Sequence, residues 1–332
     1  MLALLAVVLA APPALVHRRA ERFTTEIELT VRADVPAAQV DAAFAAVLAE
    51  CDRLDALVSE WRPDTAVSRL NRSAGGDAVA VPAELMGLLK TAVELAALTE
   101  GAFDPTFATL ADLWRLKPAA DFRPPDAAVV KARLPAVGFR HLILDEAAGT
   151  ARLDDARTRI GLGGIAKGYA VERAVALLRA RGLTDFCLRA GGELYCAGDK
   201  APGVPWTVGV RDPRDAEAVV ATLAVRDAAF TTSGDYERFA EHGGVRYHHI
   251  LDLRTGFPAR GVRSVTLLAR RPTEADALST GVFVLGVERG LALIERLPAA
   301  EAVIVDDAGA LHVSSGLRGA TTPPEPSPEP PR

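Results

Sequence analysis

Apolar and polar residues alternate through residues 23–32 (FTTEIELTVR), the pattern of a half-buried strand. Residues 35–61 then place apolar side chains at helical spacing behind Pro36, and residues 82–99 repeat that spacing behind Pro82, with Glu100-Gly101 as the stop. From Phe139 onward the pattern shortens. It predicts strands at 140–145, 186–188, 193–197, 206–211, 219–225, 247–253, 262–269 and 302–305, interrupted by helices at 165–181, 274–285 and 288–297. Strands outnumber helices there and several neighbours are hairpin-like, so the expected class is α+β and not a regular βαβ repeat. No internal repeat of fixed period is visible.

The two ends read differently from the body. Residues 1–16 form an apolar run too short to cross about 30 Å of hydrocarbon comfortably, and Pro12 and Pro13 break it. Val8-Leu9-Ala10 offers a small-residue cleavage site, and His17-Arg18-Arg19 follow, although no Lys or Arg precedes the run. The expectation is a signal peptide over residues 1–19 and an exported chain, periplasmic or on the cell-envelope side, with at most peripheral membrane association. No cysteine near that site supports an acyl anchor. Residues 321–332 (TTPPEPSPEPPR) hold nothing to bury, so 319–332 is expected to be a disordered tail behind a body spanning 20–318.

Composition narrows the partners. The chain has 332 residues, room for roughly two domains at about 150 each, and a formal charge of −5 spread along its length. With only 5% aromatics there is neither a basic footprint nor a stacking surface for nucleic acid. Cys51, Cys187 and Cys196 are too few and too scattered for a sulfur-ligated zinc. Cys187 and Cys196 could pair in an oxidising compartment, though buried free thiols are the plainer reading.

Four segments are candidates for chemistry. Gly161-Leu162-Gly163-Gly164-Ile165-Ala166-Lys167-Gly168 opens a predicted helix, where free N–H groups and the positive dipole end favour an anion and Lys167 adds a full charge. Its spacing is not that of a Walker A loop. Gly161-x-Gly163-x-x-Ala166 does match the dinucleotide fingerprint, with Asp185 at the distance of a ribose carboxylate; a ligand-free strand-to-helix turn is the alternative. In the second segment Asp276, Ser279 and Thr280 stand at i, i+3 and i+4, one carboxylate and two hydroxyls on one helical face, which suits Mg²⁺. A capping box from Thr273 to Asp276 with back-bonded hydroxyls reads equally well. In the third, residues 246–256, His248 and His249 face opposite sides of a strand, so one is free to act as a base. In the fourth, Asp104 before Pro105 reads first as a helix cap and second as a ligand residue.

Taken in order, these segments resemble the ApbE family of FAD:protein FMN transferases. The resemblance is carried by Asp64-Thr65-Ala66-Val67-Ser68-Arg69-Leu70-Asn71, by Gly101-Ala102-Phe103-Asp104-Pro105-Thr106 with Leu113-Trp114, and by residues 163–170. Ala190-Gly191-Gly192-Glu193, Thr232-Ser233-Gly234-Asp235-Tyr236, residues 248–256 and residues 275–280 extend it over most of the chain. It implies a two-lobed architecture related to the T-fold, with mixed or antiparallel sheets and flanking helices. It further implies that Ala102, Phe103, Asp104, Gly163, Ser233 and Ile250 contact the flavin nucleotide and that Lys167 lies near its phosphates. Mg²⁺ would be held by the Gly164 carbonyl, Asp276, Thr280 and Ser279, and Asp276 and His249 would be the catalytic pair, with His248 as fallback. The implied reaction is Mg²⁺-dependent transfer of FMN from FAD to a Thr or Ser hydroxyl of an acceptor protein, in all expectation a redox-complex subunit, releasing AMP. Two departures stand out. Arg22-Phe23-Thr24-Thr25 replaces the family's Met-Gly-Thr turn, and Gly161 replaces its usual aspartate, so that an acidic contact is missing. Rival readings are a Mg²⁺-dependent FAD pyrophosphatase, a non-catalytic exported FAD-binding protein, and a nicotinamide-dependent Rossmann dehydrogenase.

Overall fold

The computed structural model describes residues 14–23, 25–114, 116 and 122–320. Its frame is one eight-stranded sheet: β1 (Leu15–Arg22), β2 (Thr25–Arg32), β3 (Phe186–Ala190), β4 (Glu193–Ala197), β5 (Ala228–Gly234), β6 (Val262–Ala269), β7 (Ala300–Asp306) and β8 (Leu311–Val313). The strands lie side by side in chain order, and each pairs antiparallel with the next. Among the described residues no strand pair is parallel, which removes the Rossmann reading. Asp185, the ribose candidate, instead accepts a hydrogen bond from Asp199 N (2.8 Å) and lies 3.7 Å from Arg32.

Long excursions from this meander build everything else. Between β2 and β3 come α1 (Ala37–Val58), α2 (Ala66–Arg72), α3 (Ala83–Leu98) and α4 (Ala166–Ala180), and between β6 and β7 comes α5 (Pro272–Ile294). The apolar stripes of α1, α3, α4 and α5 bury one face of the sheet with Leu29, Leu188, Val265 and Leu267 beneath them. On the other face the hairpin of Trp206–Arg211 and Val219–Val225 inserts its alternate residues against Cys196, Phe230 and Val303. A smaller apolar cluster, Leu110, Trp114, Phe122, Ala240 and Leu251, gathers residues 105–114 and Phe122 under the short hairpins 239–258. The class is α+β, as expected.

The differences from expectation have local causes. Residues 274–285 and 288–297 were expected as separate helices; α5 is broken between them at Gly286 (φ 82, ψ −179), a conformation reserved for glycine, and ends at Ile294. Residues 140–145 divide into a 3₁₀ turn, Phe139–His141, and a strand, Leu142–Asp145. Residues 247–253 are split between the strands Val245–His248 and Leu251–Asp252. Residues 15–19, assigned above to the signal peptide, are the first part of β1, which pairs with β2 from Leu15↔Arg32 to Arg22↔Thr25. The Val8-Leu9-Ala10 site precedes that strand. Residues 1–13, Thr24 and the tail 321–332 lie outside the described residues.

Candidate functional site

The site begins where α4 meets α5. At Gly168 an added Cβ would overlap the Pro272 carbonyl oxygen and sit 2.6 Å from Asp276 Cβ, so only glycine permits the two helices to approach this closely. The approach lets Gly168 N donate to Asp276 Oδ2 at 2.8 Å. The carboxylate of α5 therefore caps the start of α4, not its own helix: Arg271 is the N-cap residue of α5, and Thr273 Oγ1 donates to Glu172 at 2.6 Å. The capping-box reading falls, while half of its companion holds, because Ser279 Oγ does back-bond to Asp276 O at 2.8 Å.

Hydroxyls crowd the same corner. Ser233, on β5, lies 2.8 Å from Ser279 Oγ and 3.4 Å from Thr280 Oγ1. Across from Thr280 is the glycine turn, for a Cβ at Gly164 would stand 3.7 Å from Thr280 Oγ1 and 3.3 Å from the Phe103 ring. Gly164 and Asp276–Thr280, 112 residues apart in sequence when counted from Gly164 to Asp276, are thus neighbours.

Lys167 points from α4 to Glu193, the first residue of β4, and pairs with it directly. Burial opposes the charge on Lys167, but Glu193, Asp276 and Glu237 outweigh it and hold its pKa above the ordinary lysine value. Burial pushes the Glu193 carboxyl up to about 7, with Lys167 opposing and Asp276 adding to the rise. Asp276 is likewise raised by burial, against the pull of Lys167 and the N–H groups of Gly168 and Lys167. Glu193 Oε2 is buried without a hydrogen-bond partner among the described residues. Two buried acids therefore share one cation.

The 101–106 segment borders this corner. Thr99 Oγ1 accepts from Phe103 N (3.1 Å), and the Phe103 ring leans on Gly164. Asp104 caps the following 3₁₀ turn: its carboxylate accepts from Thr106 N (2.8 Å), Thr106 Oγ1 (2.6 Å) and Phe139 N (2.6 Å). Its side chain is engaged within the chain, as the cap reading had it. Ala102 is buried beside it, and Gly163 lies near Phe107, where a Cβ would be 3.8 Å from the ring.

The two histidines have separate fates. His248 is buried; its Nε2 faces Ala259 O at 2.9 Å, its Nδ1 accepts from Ile250 N at 3.3 Å, and its ring packs edge-on against Phe283. That is a structural residue, and Ile250 is buried behind it. His249 is exposed to solvent, with Nδ1 3.3 Å from Arg238 O, the arrangement of an Nδ1–H donor that leaves Nε2 as acceptor. Desolvation by the surrounding chain, then the charges of His248, Arg238 and Lys167, pull its pKa down to about 4, so the ring is uncharged at neutral pH.

Three groups escaped sequence reasoning. Glu193 follows a two-glycine turn but gave no hint that it would meet Lys167, and Arg238 is exposed and unremarkable in sequence. Glu60 is the third. It lies in the turn between α1 and α2, where a Cβ at Gly161 would come 2.7 Å from Glu60 Oε1. A carboxylate oxygen thus occupies the volume that a side chain at 161 would fill.

Comparison with known proteins identifies the family. Residues 23–304 match the ApbE family. The chain is 37% identical over 298 residues to an FAD:protein FMN transferase of Treponema pallidum, covering 85% of this chain and 82% of that protein. It is 35% identical over 267 residues to one of Vibrio cholerae, covering 79% of each. Among solved structures, the ApbE protein of Thermotoga maritima superposes with a TM-score of 0.83 at 32% identity, over 92% of this chain and 99% of that one. The flavin transferase ApbE of Vibrio cholerae gives 0.82 at 30% identity, over 93% and 100%. With its sheet, its helices and its ordered motifs all accounted for, the chain belongs to the ApbE family and is a transferase.

Proposed function

We propose that this chain is an exported FAD:protein FMN transferase that moves FMN from FAD to a Thr or Ser hydroxyl of an acceptor protein, with Mg²⁺ as cofactor and AMP as the second product. The names of its relatives support the flavin chemistry. The observation that carries the reading in this chain is the meeting of the α4 start, Asp276, Ser279 and Thr280, and the Lys167–Glu193 pair in one corner, with an uncharged His249 close enough to feel the charge on Lys167.

The donor set fits a hard divalent ion. It consists of oxygens, one carboxylate with hydroxyls and a carbonyl, which is the selection that suits Mg²⁺ alongside phosphate and water. Two buried acids against one lysine also leave negative charge to be balanced, and Glu193 Oε2 is without a partner among the described residues. Asp276, Thr280, Ser279 and the Gly164 carbonyl are the residues that would hold the ion. When bound, it supplies positive charge to the oxygens of the diphosphate.

The remaining work falls to side chains. Lys167 binds the diphosphate and stabilises charge as it grows on the leaving oxygen; the N–H groups of Lys167 and Gly168, which the sequence offered to an anion, are already taken by the Asp276 carboxylate. His249 Nε2 accepts the proton of the incoming hydroxyl as the new oxygen–phosphorus bond forms to FMN. The bond to AMP breaks, and AMP departs with the bridging oxygen. His248, committed to Ala259 and Ile250, keeps the turn that presents His249 in shape.

The test is mass spectrometry of a proven acceptor incubated with the protein, FAD and Mg²⁺. Covalent FMN on a Thr or Ser, with AMP in equal amount, is the expected result. An unmodified acceptor refutes the reading, and free FMN with AMP in its place identifies water as the acceptor.

A further inference from the structure

The turn that carries Glu60 is built with unusual care for a helix connection. Thr65 Oγ1 donates to Ser59 O at 2.7 Å and accepts from Ser68 N at 3.0 Å, and Ser68 Oγ donates to Glu60 O at 3.0 Å. Asn71 then clasps Ile160, the residue before the glycine turn, with Nδ2 donating to Ile160 O and Ile160 N donating to Oδ1, both at 2.8 Å. These bonds fix Glu60 against Gly161.

The side chain so positioned has little to do within the chain. Among the described residues its carboxylate accepts one hydrogen bond, from Leu162 N at a long 3.3 Å, and Oε1 lies over Gly161 in the volume that a side chain there would fill. No salt bridge holds it; the nearest opposing charge it feels is that of exposed Arg238, whose carbonyl accepts from His249. A part-buried carboxylate with spare acceptor capacity, pinned by its backbone at the foot of the turn, is poised for a donor from outside the chain.

We infer that Glu60 is a nucleotide-binding residue, its carboxylate accepting a hydrogen bond from a hydroxyl or N–H group of FAD at the foot of the glycine turn. The assignment rests on the flavin-transfer reading. FAD offers such donors on both sides of its diphosphate, the ribityl and ribose hydroxyls and the adenine amino group. An acid suits these groups and repels the phosphates, which keeps the diphosphate toward Lys167, six residues beyond Gly161.

The experiment measures FAD affinity by flavin fluorescence in the presence of Mg²⁺, together with the thermal midpoint without FAD. The variants are Glu60→Gln, Glu60→Ala and the exchange Glu60→Ala with Gly161→Asp. Gly161 has no left-handed φ, so with Glu60 gone an aspartate there is admissible to the backbone and asks only that the Phe107 ring, 3.0 Å from its Cβ, give by a few tenths of an ångström. The expected result is an unaltered midpoint and about tenfold weaker binding in Glu60→Gln, the loss typical of one charge-assisted hydrogen bond. The exchange variant should bind more tightly than Glu60→Ala alone. Binding by Glu60→Gln within twofold of the parent, or an exchange variant no better than Glu60→Ala, overturns the inference and leaves flavin transfer intact. A parent protein with no affinity for FAD would instead sink the reading beneath it.

Discussion

Replacing Gly168 by alanine tests the contact on which the site is assembled. The added methyl would overlap the Pro272 carbonyl oxygen and lie 2.9 Å from its carbonyl carbon and 2.6 Å from Asp276 Cβ. Carbon atoms in good contact stand about 3.5–4.0 Å apart, so α4 and α5 must part by roughly 1 Å. Because the obstacles include backbone, no side-chain rotation relieves them. The parting stretches the bond from Gly168 N to Asp276 Oδ2 beyond its 2.8 Å, at about 1.5–3 kcal/mol for a charged acceptor, and overpacking adds about 1–3 kcal/mol. Alanine returns about 1 kcal/mol of helix propensity, which leaves a net destabilisation of about 3 kcal/mol. Urea unfolding measures it directly. Turnover should fall further than stability, about a hundredfold, since a shift near 1 Å misplaces Asp276, Ser279 and Thr280 relative to Gly164. A variant that unfolds within 0.5 kcal/mol of the parent, a margin about the size of ordinary surface effects, and turns over normally would refute the close-approach argument.

Four other outcomes are expected. Since the pKa of His249 falls from 6.5 to about 4 on folding, the unfolded chain binds more protons between those values; stability therefore drops as pH is lowered through that window, and His249→Gln should flatten that slope in urea midpoints taken from pH 7 to 4. The acid limb of kcat/KM should lie near 4, and a limb near 6.5 that persists in His249→Gln would contradict the assignment. Cys187 and Cys196 are direct cross-strand partners with Sγ atoms 3.7 Å apart, so closing about 1.7 Å under oxidised glutathione should form a disulfide that adds about 2–3 kcal/mol; thiol titration in denaturant would then find Cys51 alone, and three persisting thiols would exclude it. Asp276→Asn should keep the acceptor for Gly168 N and unfold within about 1 kcal/mol of the parent, yet lose at least about a hundredfold in turnover, and chelation should weaken FAD binding in the parent far more than in this variant.

What could be read in advance follows from the range of the forces involved. Residues 206–211, 219–225 and 262–269 were legible to the residue, because alternation along one strand is a local signal. Strand β5 was not, since Ala228-Ala229-Phe230-Thr231-Thr232-Ser233-Gly234 has little alternation and is held by its two neighbours. Leu15 and Val16 looked like the end of an export segment, and only pairing with β2 makes them strand. The break at His249 was hidden because Tyr247, Ile250 and Leu251 all favour strands; Ile250 N leaves the ladder for the His248 ring, a choice made by a side chain. The site divides the same way. Asp276 with Ser279 and Thr280 could be listed from helical spacing, but spacing alone left a capping box equally good, and what removes that box is a bond from Gly168 N, 108 residues away. Glu60 shows the limit most plainly. Seen in sequence, Gly161 is a lost acid; seen in space, the volume a side chain at 161 would fill holds the carboxylate of Glu60, brought there by Asn71 and Thr65. A carboxylate can be delivered to a point from any backbone that passes within its reach, so the chemistry of a site can persist while the residue that supplies it moves along the chain.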